Sequence, residues 1–190
     1  MFDELEKSVA SGKIGAYGWS TDFSASIDAV ADRPGFGAVQ HAMNVLVDVP
    51  RVQGVVAKHG LPALIRSPLA MGVLSGKYDA STVMPADDIR GTANVKTDYY
   101  LAGRVNPEML ANLAAVRELL TIGGRSLVQG ALGWLWAKSD LNVPIPGART
   151  VGQIEGIAGA LRFGALPDDV MAEIDTLIER EPADTPDRAR

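Results

Sequence analysis

Cysteine is absent from this chain, and disulfides, thiolate metal sites and cysteine nucleophiles are excluded with it. Histidine is scarce. His41 and His59 are the only two, and they lack the paired spacing of a zinc-binding helix. Positive charge is in deficit: the formal net charge is −5 and the isoelectric point about 5.0. Nucleic-acid binders carry a basic stripe, and none is visible, so no nucleic-acid partner is expected. No apolar run reaches transmembrane length, so no membrane partner is expected either. The fingerprint G-x-G-x-x-G does not follow the first strand candidate, which removes support for a Rossmann dinucleotide site.

What is present is apolar enough to fold. Over 190 residues the chain is 47% hydrophobic and 22% charged, with mean hydropathy +0.08. That composition suits one packed domain. Residues Met1–Ala10 read as a short amphipathic helix with acidic residues early. They lack the basic start and apolar centre of a secretory leader, and a cytoplasmic location is expected.

Short apolar runs alternate with helical patterns. Strands are expected at Lys13–Gly18, Phe36–His41, Leu61–Arg66 and Leu141–Ile145. Helices are expected at Ala25–Ala31, Pro50–Lys58, Pro107–Leu120, Arg125–Lys138, Val151–Leu161 and Asp168–Glu179. On Pro107–Leu120, residues Leu110, Leu113, Val116, Leu119 and Leu120 share one face. Ser67–Arg104 is rich in Gly, Asp, Ser and Thr and reads mostly as loop. A loop that long inside a compact domain is usually functional or mobile. The polar tail 182–190 stands apart from the domain 1–181.

Strands alternating with helices predict an α/β fold with parallel strands and right-handed crossovers. The polar candidates cluster just after the strands: Ser20 and Thr21, Gln40 and His41, Ser67, Gly147 and Arg149. In a parallel sheet those ends form one rim, where ligands bind.

The residues also resemble a known family. Gly12-Lys13-Ile14 followed by Tyr17-Gly18-Trp19-Ser20-Thr21 is similar to the fifth-strand segment of aldo/keto reductases. Ser67-Pro68-Leu69-Ala70 with Gly72, Leu74 and Gly76-Lys77-Tyr78 resembles their seventh-strand segment. Leu127–Trp134 and Pro144–Thr150 resemble the helix before their eighth strand and that strand itself. Members are eight-stranded TIM (β/α)8 barrels. The resemblance implies a partial barrel here, with parallel strands matching strands five to eight followed by C-terminal helices. The family's catalytic tyrosine, lysine, aspartate and histidine belong to the other half. No catalytic residue is carried over.

The resemblance implies a cofactor site for NADPH (NADP). Ser20, Thr21 and Gln40 match positions that hold the nicotinamide carboxamide. Thr21 stands where asparagine is common. From the residues alone, Ser20-Thr21-Asp22 reads first as a cap of the next helix, and with the resemblance both roles coexist. Arg66 matches a position where an aromatic ring often stacks on the nicotinamide. A guanidinium can stack there, or end a strand paired with a carboxylate. Ser67, Pro68, Leu69 and Gly72 match the stretch along the pyrophosphate. Lys77 and Arg90 fall in the loop resembling the family's cofactor belt, and either could be a solvated charge. Gly147 and Arg149 match the turn at the adenosine 2′-phosphate, and Gln153 an adenosine position. Arginine there favours NADPH over NADH. Gly156 and Ile157 replace the usual glutamate and asparagine on the adenine, which weakens the expected affinity. His41 reads as structural.

The function implied is NADPH-dependent carbonyl/alcohol interconversion, in a truncated half that is inactive alone. A carbonyl small molecule becomes a partner only if the missing half is supplied. Tyr17 cannot replace the missing acid, because Lys13 lies about 13 Å away along an extended strand. The alternative is a non-catalytic cofactor-binding or interaction module. Four strands leave two unpaired edges, so self-association or a complementary N-terminal half is expected.

Overall fold

The computed structural model of the chain describes residues 1–91 and 98–180. In chain order its elements are α1 (Phe2–Ala10), β1 (Tyr17–Ser20), α2 (Ser24–Asp28), β2 (Phe36–Ala42), α3 (Pro50–His59) and β3 (Ala63–Arg66). A kinked 3-10 segment follows at Ala70–Ser75, then β4 (Tyr100–Leu101), β5 (Arg104–Val105), α4 (Pro107–Leu120) and α5 (Leu127–Lys138). The last elements are β6 (Asn142–Pro144), α6 (Val151–Ala158), a 3-10 turn at Gly159–Arg162, and α7 (Asp168–Leu177).

Four strands form one sheet in the order β1-β2-β3-β6, with every neighbour parallel. Alternation along the strands sorts two faces. Val39, His41, Ala63, Ile65 and Asn142 are buried. On the other face, the paired row Ser20–Gln40–Leu64–Val143 is half-buried or exposed. Val143 is 48% exposed. Helices therefore cover one face, and the other lies open. The outermost strands are β1 and β6.

Glycine permits the tightest contacts. A Cβ on Gly18 would stand 2.5 Å from the Ala38 carbonyl oxygen, on the strand beside it. A Cβ on Gly130 would fall 1.8 Å from the Leu120 oxygen, so α5 crosses the end of α4 in backbone contact. The helix starts carry their own signals. Ser126 and Gln129 form a reciprocal capping box on α5, and Asn106 caps α4. Gly60 closes α3 in the left-handed conformation. The helix α1 docks through Glu6, whose carboxylate accepts the Gly35 N–H at 3.2 Å and the Tyr17 hydroxyl.

The alternation and parallel pairing agree with the sequence reading, and the differences have local causes. The first strand begins at Tyr17 rather than Lys13. Gly12 turns left-handed, and the Lys13 and Ile14 amides bond back to the Ser8 carbonyl, closing α1. The segment Ser67–Arg104 carries more structure than a loop: the 3-10 turn and the β4–β5 hairpin. Two-residue strands are too short to show a period. On α4, Met109 joins Leu113, Val116 and Leu120 in the core, whereas Leu110 and Leu119 are only half-buried. The polar tail at 182–190 lies outside the described residues. No helix among the described residues is long and apolar enough to cross a membrane.

Candidate cofactor site

Parallel register brings Ser20 and Gln40 side by side at the C-terminal ends of β1 and β2. The Ser20 hydroxyl donates to Gln40 Oε1 at 3.3 Å. The Gln40 amide nitrogen thereby keeps donors on the open face, next to a serine oxygen. That donor–acceptor set fits a carboxamide. Thr21 is turned inward. Its amide donates to the Gln40 carbonyl at 2.9 Å, and its hydroxyl oxygen accepts the Phe23 N–H at 3.2 Å. The helix α2 starts with Phe23 at its cap and no side-chain cap bond. The capping reading of Ser20-Thr21-Asp22 is therefore corrected: their bonds close the strand end instead.

Asp22 accepts the Ala42 N–H at 2.9 Å and pairs with the Arg66 guanidinium. Of the two readings of Arg66, the structure shows the carboxylate pair. The sequence reading placed Asp22 only in a cap, because its actual partners lie on β2 and β3.

Ser67 to Gly72 follow β3 in an unusual conformation. Ser67, Ala70 and Met71 have φ of 52°, 49° and 52°, and Gly72 has 100°. A left-handed residue with a Cβ costs roughly 1–2 kcal/mol, so the surroundings must hold three of them. Pro68 and Ala70 are buried, and Leu69 packs on the core. The Ser67 carbonyl accepts Asn44 Nδ2 at 3.0 Å, and the same nitrogen donates to the Tyr99 hydroxyl at 2.7 Å. Burial pushes the Tyr99 phenol up to about 12, against the opposing bond from Asn44. Asn44 was also missed, although a lone asparagine inside the apolar run Ala42–Val47 was a visible signal. The Gly72 amide donates to the Leu69 carbonyl at 2.8 Å. Its backbone is tied into the turn, and its missing side chain leaves room for Tyr78, whose ring would stand 3.1 Å from a Cβ.

Gly147 and Arg149 lie exposed between β6 and α6. The Arg149 amide donates to Gln153 Oε1 at 2.7 Å, and the Gln153 amide donates to Thr150 Oγ1 at 3.3 Å. Gln153 thus closes the start of α6 around Arg149. Gly156 has open space where a side chain would stand, and Ile157 packs against the core. Lys77 places its ammonium 4.7 Å from the centre of the Tyr78 ring. Arg90 holds Asp88 well below the usual carboxylate range, with a smaller pull from Arg149.

The remaining polar candidates are structural. His41 is fully buried: Nε2 meets Gln53 Nε2 at 3.0 Å, and Gln53 donates on to Asn142 at 3.2 Å. Tyr17 is unsuited to be an acid at neutral pH. Burial raises its phenol, and the bond to Glu6 raises it further. No group of three metal-ligating side chains occurs among the described residues.

Solved structures share this fold. Glycerol dehydrogenase AKR11B4 from Gluconobacter oxydans superposes with TM-score 0.74 at 25% identity, over 96% of this chain and 54% of that one. Aldo-keto reductase AKR11C1 from Bacillus halodurans, in its holo form, gives TM-score 0.70 at 20% identity, over 96% and 57%. These likenesses establish a (β/α) barrel-type fold. Among curated sequences, aldo-keto reductase yakc [NADP(+)] of Schizosaccharomyces pombe is 27% identical over 177 residues, 90% of this chain and 50% of that protein. The chain spans about half the length of that relative. A model of the aldo/keto reductase family matches residues 1–179, and the chain belongs to that family of oxidoreductases.

Proposed function

We infer that this chain is the cofactor side of an NADPH-dependent aldo/keto reductase, corresponding to strands five to eight of the barrel. The observation that carries the reading is the Ser20–Gln40 pair at the rim of a parallel sheet. Its polar groups match a carboxamide. Bound there, a dihydronicotinamide supplies hydride to a carbonyl carbon. Ser20 and Gln40 orient its amide, and Ser67–Gly72 shape the path of the pyrophosphate. Arg149, exposed and charged, suits a 2′-phosphate through paired hydrogen bonds. The name of the Schizosaccharomyces pombe relative, which specifies NADP(+), supports the same cofactor.

The proton for the carbonyl oxygen needs an acid from outside this chain. Tyr17, bonded to Glu6 and raised, does not serve. Alone, the chain binds nucleotide weakly and reduces nothing. Turnover near about 1 per second with aldehydes, ordinary for an enzyme, would overturn that. Fluorescence titration with NADPH and NADH tests the cofactor reading. NADPH binds more tightly, and Arg149→Ala weakens it about tenfold or more while leaving NADH unchanged. Equal affinities, unmoved by the substitution, remove the assignment.

The open face supports an assembly role beside this. Val143 on the edge strand β6 and Ile145 just after it are exposed. These residues suit a complementary four-stranded half.

A further inference from the structure

Arg90 lies in the long loop after β3, yet it is not a solvated charge: its side chain is 15% exposed. Nε and Nη2 grip Asp88 at 2.8 and 2.5 Å. Nη1 donates to the Tyr78 hydroxyl at 2.8 Å and to the Met71 carbonyl at 3.3 Å. Its guanidinium carbon lies 5.3 Å from the Tyr78 ring centre and 5.8 Å from that of Tyr100. The Tyr100 hydroxyl donates to the same Met71 carbonyl at 3.2 Å. One backbone oxygen therefore receives two side-chain donors, both from residues distant in sequence.

That oxygen belongs to Met71, one of the left-handed residues that follow β3. Left-handed residues with a Cβ persist only where neighbours over-determine them. The Ser67 end of the run is held by Asn44. At the Met71 end, Arg90 and Tyr100 do the holding. Arg90 has little left to offer a phosphate. Four of its hydrogen bonds go to protein acceptors, and Asp88 cancels its charge locally.

We propose that Arg90 is a positioning residue: with Tyr100 it clamps the Met71 carbonyl and fixes Ser67–Gly72 in the shape that accepts the cofactor. This rests on the cofactor reading given above. Arg90 acts through the backbone of Met71 and does not contact the nucleotide. Asp88 and Tyr78 hold the guanidinium in place, which explains an arginine here: lysine lacks the planar fork needed to meet all three partners.

Hydrogen exchange of the amides 69–74, measured on the chain without nucleotide, tests the clamp directly. Arg90→Ala and Arg90→Lys both raise that exchange by about tenfold or more. Tyr100→Phe, a smaller change in shape, raises it less. In NADPH titrations Arg90→Ala and Arg90→Lys weaken binding to a similar degree. Adding Met71→Gly to Arg90→Ala recovers most of the affinity, because glycine adopts positive φ without strain. Unchanged exchange in all three single variants overturns the clamp. Lysine retaining full affinity while exchange rises also overturns the proposal, because Arg90 would then act by its charge. Absence of NADPH binding by the wild-type chain removes the cofactor reading instead, and the exchange comparison still decides the clamp.

Discussion

Asp22 and Arg66 bridge the outer β1 strand end to β3 across the intervening β2, and the carboxylate also accepts the Ala42 N–H at 2.9 Å. The two partners contribute unequally. The ion pair is about 40% exposed on each side, where such pairs add only about 0–1 kcal/mol. The backbone bond is different, since its loss leaves a donor unsatisfied at the strand end. Arg66→Ala should cost at most about 1 kcal/mol, and Asp22→Ala about 1–2 kcal/mol more. Asp22→Asn, which keeps an acceptor oxygen, should fall between. Urea unfolding of the three variants gives the order, and an arginine variant weaker than the aspartate variant would contradict it.

Gly130 and Gly156 sit on neighbouring helices and should respond oppositely to alanine. At Gly130 the new carbon would overlap the Leu120 oxygen, so α4 and α5 must separate. A loss on the order of 2–4 kcal/mol is expected. At Gly156 nothing lies within 4 Å. Alanine there should stabilise by about 0.5–1 kcal/mol through helix propensity alone. Thermal melts of the two variants decide both, and a neutral Gly130→Ala would show that the helices are not in backbone contact.

The tyrosines should ionise in a readable order. Burial raises the Tyr78 hydroxyl, but hydrogen bonds from Lys77 and Arg90 outweigh it and hold it below its ordinary value. Tyr99 is pushed up to about 12 by burial. Its folded value exceeds its unfolded one near 10, so its contribution to stability is complete below about pH 10 and disappears as pH rises through about 12. An absorbance titration should show Tyr78 first and Tyr99 last. Tyr99→Phe should delete the last step, and a late step that survives the substitution would refute the assignment.

The open sheet face should drive association. Each large apolar side chain left in water forgoes roughly 1.5–3 kcal/mol. Val143 on the edge strand β6 and Ile145 just after it are exposed. Light scattering should find the chain larger than a monomer, and Val143→Lys with Ile145→Glu should shift it toward monomer. A monodisperse wild-type monomer with a sharp cooperative melt would show that the face needs no cover.

Much of this was legible in the residues. The helix Pro107–Leu120 appears with the expected bounds, because Asn106, Pro107 and an apolar stripe mark it locally. Phe36–Ala42 shows as a strand through its own apolar pattern. Ser20 and Gln40 could be named because each follows or lies on such a strand. The partners of Asp22, Asn44 and Tyr100 could not, since those contacts exist only once distant segments meet. Tyr100 reaches the Met71 carbonyl across 29 positions of chain, and no period in the sequence reports such a contact.

The sheet order also sets a sequence of assembly in time. The strands β1, β2 and β3 join after short crossovers, whereas β6 pairs with β3 only after the chain has run from Arg66 to Asn142. Closing the longer loop costs more entropy, and non-local pairing is slow. On that ground β6 is expected to add last and to detach first. Gly147 and Arg149 follow β6 directly, so they share its fate, while Ser20 and Gln40 belong to the early core. Pulsed hydrogen exchange during refolding should protect Val39 and Trp19 before Ile145. The two ends of the proposed nucleotide site would then mature at different rates, and the end proposed to meet the phosphate would be the one that opens under stress.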